Sequence, residues 1–214
     1  MPPPAPDSAM LEVHDLAGRR GHADLFAGVD FRVPAGGAVV VTGPNGTGKT
    51  TLLRMLAGLS APAAGEIRLK GHKVAPFAPE LRAAVAYAGH LPALKDELTA
   101  EENLSSLVRL AGGTAGPDAM RSALDRVALG RRRSLPARVL SAGQRRRIGL
   151  ARLALLERPV WILDEPVTAL DAAGIGLLAT LVHDHLDRGG AAVLATHQAL
   201  GLEPSRVQSL VLGG

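Results

Sequence analysis

The 214-residue chain predicts an α/β fold, with strands and helices wound around one glycine-rich loop and an α-helical lobe set into them. Three observations carry this. Gly43-Pro44-Asn45-Gly46-Thr47-Gly48-Lys49-Thr50 reads G-x-x-x-x-G-K-T, between an apolar β-branched run (37–42) and a run of helix formers (51–58). Strand, glycine-rich loop and helix in that order are what this pattern needs to fold around phosphate. Two further apolar runs, 160–164 and 191–196, end in polar or charged residues, as buried strands of a parallel sheet do. The stretch between the loop and these runs turns helical, with two helix starts of the capping-box form.

The length suits one well-buried α/β domain with an inserted lobe and is short for two independent domains. There is no cysteine, which excludes a disulfide framework and a thiolate metal site and fits a reducing compartment. The net charge is +4 with only 2% aromatic residues, so a base-stacking platform is not expected and no direct nucleic-acid binding is read here. The arginines can instead meet nucleotide phosphates or an anionic membrane face. Residues 1–10 read as a disordered proline-rich tail without the features of a signal peptide. No apolar run reaches the length of a membrane span, so work at a membrane would require a spanning partner.

Taken in order, 11–16 and 29–33 alternate apolar and polar residues and read as strands joined by a basic loop, Gly18 to His22. The strand, phosphate loop and helix follow. Residues 65–69 read as a further alternating strand, 75–79 as a linker and 83–88 as a core strand. Thr99 and Glu102 form a capping box that starts a helix to about Leu110; Gly112-Gly113 stops it, and Pro117 opens another helix to about Leu129. Arg131 to Arg133 read as a solvated turn. Ser141 and Gln144 form the second capping box, starting a helix to about Glu157. Ala172 to Leu186 reads as a helix in which His183 and His185 lie at the surface.

The chemistry-bearing positions follow from this order. The loop glycines let backbone N–H groups converge on phosphate oxygens, helped by the helix N-terminus. Lys49 can reach the β- and γ-phosphates, and Thr50 can offer its hydroxyl to Mg²⁺. Asp164, at the end of a neighbouring strand, suits the second Mg²⁺ contact, and Glu165, one residue on, can polarise a water. Ser141, Ala142 and Gly143 begin a helix and present a second anion-binding end, or simply a well-capped helix. Asp171 can be the N-cap of the helix after it. His197 follows a buried strand, at the rim where ligands of open α/β sheets collect.

In one order, Gly43–Thr50, Leu140–Gln144, Ile162–Pro166, Asp171 and His197 resemble the ATP-binding-cassette (ABC) ATPases over essentially the whole chain. The resemblance implies a P-loop NTPase, an ABC-type nucleotide-binding domain. A single domain (11–214) would have a RecA-like core, about 11–88 and 158–214, and an inserted α-helical subdomain, about 89–157. It implies a head-to-tail homodimer with two ATP molecules, and Mg²⁺, between subunits. Gly43, Pro44, Asn45, Gly46, Thr47, Gly48, Lys49, Thr50 and Thr51 would hold the phosphates, with Thr50 and Asp164 on the metal. Ser141, Ala142, Gly143 and Gln144 of the other subunit would cover the γ-phosphate. Glu165 would be the catalytic base, His197 would contact the γ-phosphate, and Asp171 would signal across the dimer. The family places an aromatic on adenine near Arg20. Here the guanidinium plane would have to stack instead, which leaves ATP against GTP open.

More narrowly, the chain is similar to the ATP-binding subunits of the cytochrome c maturation, or heme-exporter, system. The similarity rests on Thr51–Arg54, Leu98–Leu104, Leu140–Arg147, Trp161–Pro166, the compact length, and His90. Most cassette ATPases carry glutamine where His90 stands, and this branch carries histidine. In the family the residue there links core and helical lobe, which the resemblance implies for His90. The implied activity is ATP hydrolysis driving membrane-spanning permease subunits from the cytoplasmic face of the inner membrane. The implied link to heme and its carrier is indirect, with either heme export or release of heme from the carrier as the driven step. The ATPase of another small exporter stays open as an alternative. A soluble cassette ATPase acting on nucleic acid or ribosomes would be expected to show tandem cassettes or coiled-coil insertions. A nucleotide kinase leaves Leu140–Gln144 and Glu165 unexplained.

Overall fold

The computed structural model describes residues 9–90 and 93–213, so eight of the ten residues of the expected tail lie outside it. Ala9 and Met10, the last two, already belong to a strand. The described chain divides into two compact units, one running up to Tyr87 and resuming over Arg158–Glu165 and from Val182 on, the other taking Ala88–Glu157 and Pro166–Leu181. The division differs from the expected one in giving Pro166–Leu181 to the helical unit.

The first unit holds two sheets. In one, β1 (Ala9–Arg20) pairs antiparallel with β2 (Ala23–Pro34) and with β4 (Ala64–Leu69), and β5 (His72–Val74) closes the order β2-β1-β4-β5. The basic loop expected over 18–22 is therefore wrong: strand runs through Arg20, and the hairpin turns on Gly21 and His22 alone. The misreading has a physical cause. Asp15 adopts φ 47° and the β1–β2 register shifts around Leu16 and Gly18, so the period-two pattern breaks while the strand continues. The second sheet has β6 (Val85–Ala88) at one edge and the order β6-β7-β8-β3-β9, with β3 (Ala38–Thr42) parallel to both β8 (Ala191–Ala195) and β9 (Val207–Val211), and β7 (Val160–Asp164) parallel to β8. β7 and β8 are buried at every position, as strands covered on both faces must be. Helix α1 (Lys49–Leu56) lies against β7 and β8, its Leu52, Leu53 and Leu56 completely buried. One apolar cluster joins this helix to both sheets, through Leu11, Val13 and Phe31 on one and Val39, Ile162 and Val193 on the other.

The expected strand over 83–88 is shorter. Pro79 sits at the first turn of α2 (Pro79–Ala84), and β6 takes only Val85–Ala88. The second unit is built on α3 (Ala100–Leu110), α4 (Pro117–Arg126) and α5 (Ala142–Leu155), with α3 and α4 both packed on α5. Both capping boxes form: the Thr99 hydroxyl accepts from the Glu102 N–H (3.2 Å) and the Ser141 hydroxyl from the Gln144 N–H (3.2 Å). Each partner returns the bond to the cap backbone, at 2.8 Å and 3.0 Å. Asn103 locks the chain before α3, its side-chain amide donating to Lys95, Leu98 and Thr99 carbonyls while its oxygen accepts from the Lys95 N–H. Helix α6 (Ala172–Asp187) leads into β8.

His185 corrects the surface reading of α6. It is 6% exposed, and its ring stacks on Trp161 with centroids 4.1 Å apart and planes 8° from parallel. It lies three residues after Val182 and four after Leu181, both buried, so helical spacing carries it onto the apolar face despite its polar neighbours.

Candidate functional site

The phosphate loop leaves the sheet from β3, which is paired on both sides, so its start is rigidly placed at the carboxyl end of a parallel strand. Gly43 has φ 135°, and a Cβ there would lie 2.2 Å from the Leu212 carbonyl oxygen, so no other residue fits. The Thr47 hydroxyl ties the loop by donating to the Pro44 carbonyl at 3.0 Å. Lys49 is 8% exposed; its ammonium donates to the Gly43 (2.6 Å) and Pro44 (3.0 Å) carbonyls, which holds a cation in the loop at the positive end of α1.

Beside it, β7 delivers the two carboxylates. Asp164, 2% exposed, receives the Thr50 hydroxyl at 3.3 Å on one oxygen and the Tyr87 hydroxyl at 3.4 Å on the other. A buried carboxylate next to a hydroxyl is an oxygen donor set suited to a small hard cation, and Mg²⁺ takes one or two such protein ligands when phosphates and water supply the rest. Among the described residues no group of three or more acidic, histidine or cysteine side chains could hold a metal by itself. Glu165 leaves the strand with φ 46°, its N–H donating to Ala195 at 2.9 Å. That left-handed turn separates its side chain from the strand alternation and costs about 1–3 kcal/mol where the surroundings enforce it. His197, just past β8, places Nε2 3.7 Å from Glu165 Oε1. A cavity of about 250 Å³ is lined by Asn45, Gly46, Gly48, Lys49, Thr50, Thr51, Asp164 and Glu165, with Arg20 and Leu25 at its side. It brings together a cation, a run of loop N–H groups and two carboxylates, which is the chemistry to bind a polyphosphate and polarise a water beside it.

The helical unit carries the remaining positions. Ser141 caps α5, and a Cβ on Gly143 would stand 2.6 Å from the Ala169 carbonyl, so glycine there permits close approach of the segment before Asp171. Asp171 accepts from the Gly174 N–H (2.8 Å) and the Arg147 guanidinium (2.6 Å). The Gly174 bond first and the arginine second hold its carboxyl below the usual aspartate range. His90 is exposed, and its backbone carbonyl accepts from the Arg146 guanidinium at 2.6 Å.

Sequence reasoning assigned no individual role to Tyr87, Arg146 or Arg147, although the two arginines lie in a stretch that carried the narrower resemblance. Tyr87 lies within β6, beside β7, and the arginines follow the Leu140–Gln144 motif inside the longer Leu140–Arg147 stretch. Their partners are 77, 56 and 24 residues away in the chain.

A phosphate loop launched from an interior parallel strand, with a carboxylate from another strand of the same sheet beside its threonine, defines a nucleotide-binding domain of the P-loop class. The family model described as ABC transporter matches residues 26–168, and the chain belongs to that family. Over 204 residues, 95% of this chain and 100% of the relative, it is 47% identical to the "Cytochrome c biogenesis ATP-binding export protein CcmA" of Dechloromonas aromatica. It is likewise 47% identical over 197 residues, 92% of this chain and 97% of the relative, to the protein of the same name in Pseudomonas aeruginosa. A solved "ATP binding subunit of ABC transporter" superposes with a TM-score of 0.82 at 31% identity, over 95% of this chain and 85% of that one.

Proposed function

We infer that this chain is the ATP-hydrolysing subunit of an ABC exporter that serves c-type cytochrome biogenesis. The observation that carries the reading is the 47% identity over nearly the full length of both chains to relatives so named. The cavity that joins Lys49, Thr50, Asp164 and Glu165 supports it chemically.

In this reading Gly43–Thr51 bind the ATP phosphates through loop N–H groups and the Lys49 ammonium, and Thr50 and Asp164 hold Mg²⁺, which when bound neutralises phosphate charge. Glu165 takes the proton of the attacking water, and its carboxylate is kept apart from Asp164 by the left-handed turn that follows β7. His197, 3.7 Å from Glu165, orients that carboxylate and contacts the terminal phosphate. Ser141–Gln144 of a second copy present a capped helix end to the same phosphate. Asp171 reports across that dimer, and His90 couples the helical unit to the site. Arg20 stacks on the base.

No helix among the described residues is long and apolar enough to cross a membrane, so an exporter built on this chain needs membrane-spanning permease subunits. The working place is then the cytoplasmic face of the inner membrane, as a peripheral homodimer, with heme and its carrier reached only through the partner. Affinity capture of the tagged chain from detergent-solubilised membranes tests this. A membrane-spanning subunit should co-purify and stimulate ATP turnover, and loss of the chain should stop c-type cytochrome maturation. Normal maturation in its absence would refute the cytochrome assignment.

A further inference from the structure

Arg146 is buried, 5% exposed, on α5, between Arg145 and Arg147, which are both half-buried. Its guanidinium closes on three backbone carbonyls: Nη1 donates to Gly89 (2.7 Å) and His90 (2.6 Å), and Nε donates to Pro166 (3.3 Å). We propose that Arg146 is a positioning residue for hydrolysis, holding from α5 the backbone that carries His90 and the backbone that follows Glu165. The proposal rests on the ATPase reading and adds a residue to it.

The geometry favours this role over plain packing. Leucine or methionine would fill a buried place on α5 without bringing a charge into it, and a buried charge is retained only where fixed dipoles answer it. The guanidinium is a rigid planar fork of five N–H donors that stays protonated, so it can fix several acceptors at once in one plane. Its acceptors lie on two distant stretches of chain. One includes the carbonyl of His90 itself. The other is Pro166, which has no N–H of its own, so its carbonyl is the only backbone group by which that position can be held. Pro166 directly follows Glu165, whose φ of 46° depends on what fixes the turn on either side. The N–H of Glu165 is held by Ala195, and the residue after it by Arg146. Arg146 lies five residues beyond the cap Ser141, so the helix that presents Ser141–Gln144 is tied to the same two stretches. A shift of α5 would therefore be felt at His90 and at the turn after Glu165 together.

The test is steady-state ATPase kinetics of the membrane complex, with ATP affinity and melting of the purified full chain measured alongside. Arg146→Leu keeps the volume and removes all donors; Arg146→Lys keeps the charge and can satisfy fewer of the carbonyls. Arg146→Leu should lower kcat at least about tenfold while the affinity for ATP at the phosphate loop changes less than about twofold, and Arg146→Lys should recover part of the loss. The loss should persist at a temperature well below the melting point of each variant. If Arg146→Leu does not fold, Arg146→Lys carries the test alone, with a kcat loss of about threefold or more at unchanged ATP affinity. Turnover within about twofold of wild type in both variants overturns the proposal, as does a kcat loss that only tracks the melting point. Lys49→Ala separates the two readings: if it hydrolyses ATP normally the ATPase assignment itself fails, and if it is inactive while the Arg146 variants are not, only the positioning role fails.

Discussion

His185 should make this protein lose stability in mild acid. Burial against Trp161 pushes its pKa from 6.5 down to about 4; the carbonyl of Ala191, 3.2 Å from Nε2, opposes the shift only partly, and Arg188 adds to it. The folded form therefore prefers neutral imidazole, while the unfolded chain accepts a proton as soon as the pH falls through 6.5. The associated stability is fully present above that value and is lost as the pH falls towards the folded value. At about 1.4 kcal/mol per unit, the full shift is worth about 3 kcal/mol, of which about 2 kcal/mol is gone by about pH 5. Against a total of about 5–15 kcal/mol for a typical domain, that is a measurable share. The assay is urea unfolding of the wild type and of His185→Phe at about pH 7, 6 and 5. Phenylalanine keeps a ring against Trp161, carries no titrating group and gives up the bond to Ala191. The wild type should lose about 2 kcal/mol more than the variant across this range, at unchanged denaturant slope. The remaining histidines and carboxylates are common to both chains and cancel in the difference. Curves that fall in parallel would refute the burial argument.

The remaining predictions concern turnover. Lys49→Ala should cut ATP hydrolysis by about a hundredfold or more, because the ammonium answers charge on the transferred phosphate; unchanged turnover in the purified complex would reject the phosphate-loop assignment. Glu165→Gln keeps the shape and removes the base, so ATP should bind, hydrolysis should slow by about 10²-fold or more, and light scattering with ATP should show a persistent dimer. His90→Gln should retain activity, since a side-chain amide offers the same kind of acceptor as neutral imidazole, whereas His90→Ala should uncouple turnover from the membrane partner. Equal activity and cytochrome maturation in both His90 variants would make that residue a spacer.

What the sequence alone determined is what depends on neighbours in the chain. The strand–loop–helix order around Gly43–Thr50 and the two capping boxes at Thr99 and Ser141 are closed within a few residues, so their residue types declare them. The meeting of Thr50 with Asp164, 114 residues apart, was also legible, because both follow buried apolar strands and parallel strands present their carboxyl ends at one rim. Other features needed the folded chain. β1 and β2 run nearly to one another because bulges absorb the broken alternation, which a period-two pattern cannot register. Strand β9 gains its place only by pairing with β3, and Val207–Val211 has too little burial of its own to announce it. His185 reads as polar in sequence and is buried because Trp161 and the Ala191 carbonyl offer its ring a stack and a hydrogen bond, both supplied from outside its helix. Arg146, one of three consecutive arginines, differs from its neighbours only in what it reaches, the carbonyls of Gly89, His90 and Pro166. Composition and spacing carry local hydrogen bonding and periodicity. The partners of a buried polar side chain come from distant chain, and the tertiary structure alone brings them within reach.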